Sequence, residues 1–76
     1  MTDPRVLTLW VIYDSPADYP GKVVLRRQHA TKQCVEIDPE AWVFDSVREA
    51  RLAVPPGLYN LGRYDMDDPC IVEVWV

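Results

Sequence analysis

The eight residues Val6-Leu7-Thr8-Leu9-Trp10-Val11-Ile12-Tyr13 constrain this chain more than any other stretch. They are rich in β-branched and aromatic side chains, and Asp14-Ser15-Pro16 stops them with a turn signal. Apolar side chains stand at both parities, so a strand here needs cover on both of its faces. Such a strand belongs in the middle of a sheet.

The remaining elements fall in around it. Lys22 to His29 reads as a second strand, apolar in its first half and polar in its second, and an antiparallel pair is the economical connection. Residues 30–40 are polar and turn-like apart from Cys34-Val35, and Asp38-Pro39 is expected to end any strand there. Ala41-Trp42-Val43-Phe44 predicts a short third strand. Asp45 or Ser46 then caps a helix, and Ser46 with Glu49 matches the S-x-x-E capping box. Val47, Ala50 and Val54 share one helical face, with Ala53 beside them. Pro55-Pro56-Gly57 stops the helix. Residues 58–64 predict a fourth strand, with Gly62 marking a bulge or a crowded neighbour, and 70–76 a last one. The order βββαββ is that of an α+β domain: an antiparallel sheet of about five strands with one short helix over 46–54 packed on one face. A helix that short is unstable alone and must pack on the sheet.

With 76 residues the chain has room for one domain, 1–76. A chain of this size buries only about 60–65% of its unfolded surface, so its core is small. The apolar fraction of 49% and aromatic fraction of 11% are enough to build that core. No apolar run approaches the roughly 20 residues that cross a bilayer. The start Met1-Thr2-Asp3-Pro4-Arg5 lacks a secretory signal, which predicts a cytoplasmic protein. Cys34 and Cys70 have no CxxC spacing and are expected to be buried and reduced.

The net charge of −4 is unevenly spread. Residues 1–35 carry five basic and three acidic side chains; residues 36–76 carry three basic and nine acidic ones. Nucleic-acid binding usually needs an overall basic footprint, which this chain lacks. Lys22, Arg26 and Arg27 nevertheless cluster on the second strand and are the candidate contacts if nucleic acid is the partner. Arg26 and Arg27 alternate in direction, so at most one joins a sheet-face patch with Trp10.

Catalytic patterns are sparse. His29 is the one histidine, and Cys34 lies five residues beyond it, without a flanking signature for a nucleophile pair. Asp65, Asp67 and Asp68 gather carboxylates in one loop that a hard cation could visit, but the stretch lacks the mid-loop glycine and closing glutamate of an EF-hand. No zinc spacing and no phosphate-cradling glycine loop is present, so no cofactor or metal is expected. The chain is not expected to be an enzyme.

Two features point to protein contacts instead. Asp14-Ser15-Pro16-Ala17-Asp18-Tyr19-Pro20-Gly21 is longer than the roughly two to five residues that close a hairpin, and its prolines predict a loop held in shape. Asp14, Asp18 and Tyr19 are its candidate contacts. On the last strand Glu73 and Trp75 share one parity and Val72, Val74 and Val76 the other. The valine face is expected under the helix, which leaves Trp75 on the open face as a candidate anchor for a partner or a second copy.

The run from Leu9 to Lys22, Arg26-Arg27, Pro55-Pro56-Gly57-Leu58 and the ending Ile71-Val72-Glu73-Val74-Trp75 together resemble a group of short bacterial proteins of unknown function that share this N-terminal motif. The resemblance covers nearly the whole chain. It implies a free-standing single domain and carries no activity and no site residues. The sequence therefore predicts a small protein-interaction module, with a nucleic-acid or ribonucleoprotein accessory role as the alternative.

Overall fold

A computed structural model describes residues 6–62 and 69–76. Strand β1 (Leu7–Asp14) pairs antiparallel with β2 (Val23–Ala30), from Leu7 opposite Ala30 to Asp14 opposite Val23. Strand β3 (Val35–Phe44) adds to the outer side of β2. Helix α1 (Val47–Ala53) follows, then β4 (Asn60–Gly62) and β5 (Ile71–Trp75). The sheet order is β3-β2-β1-β5-β4, so the run that demanded cover on both faces is indeed central. The chain is a small α+β domain with one five-stranded antiparallel sheet and one short helix.

The helix packs against β1, β2 and β3 as the chain passes from the β3 edge toward the β4 edge. Ala50 is fully buried there, and Val47 and Val54 pack on Ile12, Val23 and Leu25. Complete burial of side chains such as Ile12 and Leu25 stabilises the fold by about 1.5–3 kcal/mol each. Ser46 Oγ accepts from the Glu49 N–H at 3.2 Å, and the Glu49 carboxylate reaches back to the Asp45 N–H at 3.3 Å. The capping box thus closes one residue earlier than the Ser46 N–H. Val54, with extended backbone ahead of Pro55, ends the helix.

Three expectations need correction. The third strand is not confined to residues 41–44; it starts at Val35 and passes through Asp38-Pro39. Its edge position allows this. Arg26 faces Ala41 but Gln28 faces Ile37, so residues 38–40 bulge opposite Arg27, where the missing Pro39 N–H breaks no ladder bond. The turn before it is made by Thr31, whose hydroxyl accepts from the N–H groups of Gln33 and Cys34.

The faces of β5 are the reverse of the expected ones. Trp75 lies opposite Trp10 and Glu73 opposite Ile12, which places both on the helix face. Glu73 is only 5% exposed, and the α1 residue Arg51 reaches it with Nε at 2.7 Å and with Nη2. A bulge between Ile12 and Tyr13 lets Val72 join the same cluster. Polarity misled the parity argument because the helix brings its own cation to the acid.

Cys34 is exposed rather than buried, and Cys70 is half-buried; neither is in a disulfide. Gly62 does sit at an irregularity, with φ +70° where β4 shifts register against β5. The candidate cation loop at Asp65, Asp67 and Asp68 lies outside the described residues. Among the described residues, no helix is long and apolar enough to cross a membrane.

Candidate functional site

The loop between β1 and β2 is shaped by its own hydrogen bonds. At its neck the Ser15 N–H donates to the Lys22 carbonyl at 2.7 Å. Within it the Tyr19 N–H reaches the Pro16 carbonyl at 3.0 Å and the Lys22 N–H the Tyr19 carbonyl at 3.2 Å, two tight turns in succession. The second has proline then glycine at its centre, with Gly21 at φ +77°, as a type II turn requires. Pro16 is buried, whereas Tyr19 is 39% exposed. Pro16 is the clasp and Tyr19 faces solvent. Asp14 is exposed, its backbone N–H bonded to the Cys70 carbonyl at 2.7 Å. Asp18 forms an ion pair with Arg26.

That pair fixes the loop on the face opposite the helix. Arg26 lies across from Val11 in β1, at the parity away from Trp10 and Ile12. Tyr13 shares this open face, with the Arg26 guanidinium over its ring and its hydroxyl accepting from Gln28 Nε2 at 3.0 Å. Further along the same face the cover stops. Leu7, Ala30 and Val35 form one cross-strand row; Leu9, Gln28 and Ile37 form the next. Leu7 is 50% exposed, Val35 58% and Ile37 56%. The two rows contain no charged side chain. Periodicity alone did not reveal this patch, because it depends on β3 continuing through Pro39.

The helix face ends differently. All three tryptophans lie on it: Trp10 opposite Trp75, and the Trp10 and Trp42 rings 5.7 Å apart. The Arg27 guanidinium covers Trp10 at 5.4 Å and Trp42 at 5.2 Å, and Arg27 pairs with Asp38 at 3.0 Å. Trp75 is half-buried, and its Nε1 donates to Glu73 at 3.0 Å. Trp75 is therefore not a neighbour of the loop contacts; it belongs to the opposite surface. Asp38 also accepts from the Glu40 N–H at 3.0 Å. That bond, aided by His29 and Arg27, holds its carboxyl below the usual range against the effect of burial.

The remaining candidates do not come together. Lys22 pairs with Asp45 at 2.5 Å, Arg26 with Asp18, and Arg27 with Asp38, so the three cations are spread over different surfaces and each meets a carboxylate. His29 contacts Thr8 at 3.4 Å and Asp38 at 3.4 Å, while Cys34 sits in the turn with Thr31. No family model, curated protein or solved structure matches this chain.

Proposed function

We propose that this chain is a non-enzymatic interaction module that docks through its open sheet face onto a second copy of itself. The observation that carries the reading is the uncharged apolar patch of Leu7, Leu9, Val35 and Ile37 across three adjacent strands. The chain as a whole is acidic, so most of its surface repels a copy; the patch does not. A twofold contact sets a patch against itself, and sheets packed face to face form a second core about 10 Å thick. Asp18 and Tyr19 stand on the loop that borders this face and would supply its rim, whereas Asp14, opposite Val23 at the end of β1, has the parity of the helix face. Trp75 lies outside the interface. The exposed free thiol of Cys34 fits a reducing cytoplasm. Light scattering during size exclusion over a concentration series tests the reading: the parent should approach twice the chain mass and Ile37→Glu should remain at 8.8 kDa. A parent that stays monomeric at the highest concentration removes self-association.

The nucleic-acid alternative has less behind it, because Lys22, Arg26 and Arg27 are individually neutralised and face different ways. Passage through heparin without delay at low salt would eliminate it. An enzymatic reading rests on the row Thr8, His29 and Asp38, whose contacts are long and whose carboxylate already serves Arg27.

A further inference from the structure

Between the loop and the sheet lies a cavity of about 260 Å³, lined by Tyr13, Pro16, Ala17, Asp18, Arg26 and Cys70. Its composition is that of a small ligand site: an aromatic ring, a proline and a methyl group for apolar contact, and one guanidinium for orientation. The Arg26 guanidinium is the more sheltered member of its ion pair, at 26% exposure against 53% for Asp18. The carboxylate thus meets the cation from the solvent side, along the approach open to an incoming anion. The ring is held by the Gln28 bond to the Tyr13 hydroxyl, and the loop neck by Ser15 and Lys22, so the walls exist before any ligand arrives.

We infer that this cleft binds a small carboxylate with an apolar body of about one ring, and that Asp18 is its internal competitor. A guanidinium presents two parallel N–H groups that match a carboxylate, and the Asp18 pair already demonstrates that such a group reaches Arg26. The size limit follows from the volume, which is below the roughly 300–1,000 Å³ of sites for drug-sized ligands. Displacing Asp18 needs only its side chain to swing into water, because the neck bonds lie elsewhere in the loop. Exposed ion pairs are weak, so the internal competitor is easily displaced.

The test is titration of the full chain with benzoate, benzamide and inorganic phosphate, followed by amide chemical shifts and calorimetry. Benzoate should shift the signals of Tyr13, Asp18 and Arg26. Benzamide, which has the same ring without the charge, should shift them at least tenfold less effectively. Asp18→Asn removes the competitor and should tighten benzoate by about two- to fivefold, as expected when a weak exposed pair no longer occupies the site. Arg26→Gln should abolish the response. Equal binding of phosphate would overturn the carboxylate assignment, and equal binding of benzamide the role of Arg26. No benzoate response in Asp18→Asn, with a dispersed spectrum showing that it folds, would overturn the site itself. The outcome is independent of the mass measurement on the Leu7–Ile37 patch, so the two proposals fail separately.

Discussion

The two faces of the sheet solve the problem of cover in opposite ways. On one, a seven-residue helix seals Ile12, Val23 and Leu25, and Trp75 together with Trp10 and Trp42, the latter two under Arg27, extends the seal beyond its reach. Even an acid, Glu73, is admitted there because Arg51 accompanies it. On the other, Val11 and Val24 are buried near a folded loop, and the far end is left bare at Leu7, Val35 and Ile37. Cover on the first face comes from within the chain. On the second it is finished only at one end, and a chain this small gains most from a partner at the other.

Substitutions in β2 and β3 give the sharpest contrast. Leu25→Ala on the sealed face should cost about 2–5 kcal/mol in urea unfolding, through lost transfer energy and a cavity. Ile37→Ala on the bare face, measured at dilution, should stay within about 0.5 kcal/mol. Similar losses at the two positions would mean that the bare face is covered in the isolated chain. Acid is the next probe. Bonds from Arg51 hold the Glu73 carboxyl below its ordinary value of 4.5 despite burial. A carboxyl lowered in the folded state stabilises at every pH above its unfolded value, and that contribution is lost as pH falls through the folded one. Stability should therefore decline below about pH 4.5, and Glu73→Gln should flatten the decline. A profile unchanged by this substitution would remove Glu73 as the acid-sensitive point of the sealed face. The smallest expected effect is at the helix start: Ser46→Ala should cost about 1 kcal/mol by thermal melting, through loss of the cap on the Glu49 N–H. No loss would mean that the Glu49 contact to Asp45 alone holds the helix end.

Local signals were legible where chemistry and geometry are the same thing. The double-parity run from Val6 to Tyr13 announces a central strand, Ser46 with Glu49 a cap, and Pro55-Pro56-Gly57 the end of the helix. The misread elements depend on partners far along the chain. Pro39 reads as a stop because nothing nearby shows that its strand lies at an edge, with residues 38–40 bulging opposite Arg27. Glu73 reads as solvent-facing because its partner, Arg51, is 22 residues away on the helix. Of the candidate contacts, Asp18 and Tyr19 could be placed on a shaped loop, but the pairing of Asp18 with Arg26 could not. The bare patch emerged only from the register of three strands.

Trp10 and Trp75 face each other across the middle of the sheet although they are about 65 positions apart in the chain. The strands β1, β2 and β3 can zip as successive hairpins, each contact made between near neighbours, on a scale of about 1–10 μs per hairpin. The β1–β5 seam must instead close a loop spanning most of the molecule, and closure entropy grows with that length. Folding should therefore run from the amino-terminal meander toward a late docking of β5. Until that step the meander presents an open β1 edge with Trp10 beside it, the template to which the last strand of a neighbouring chain could attach in place of its own.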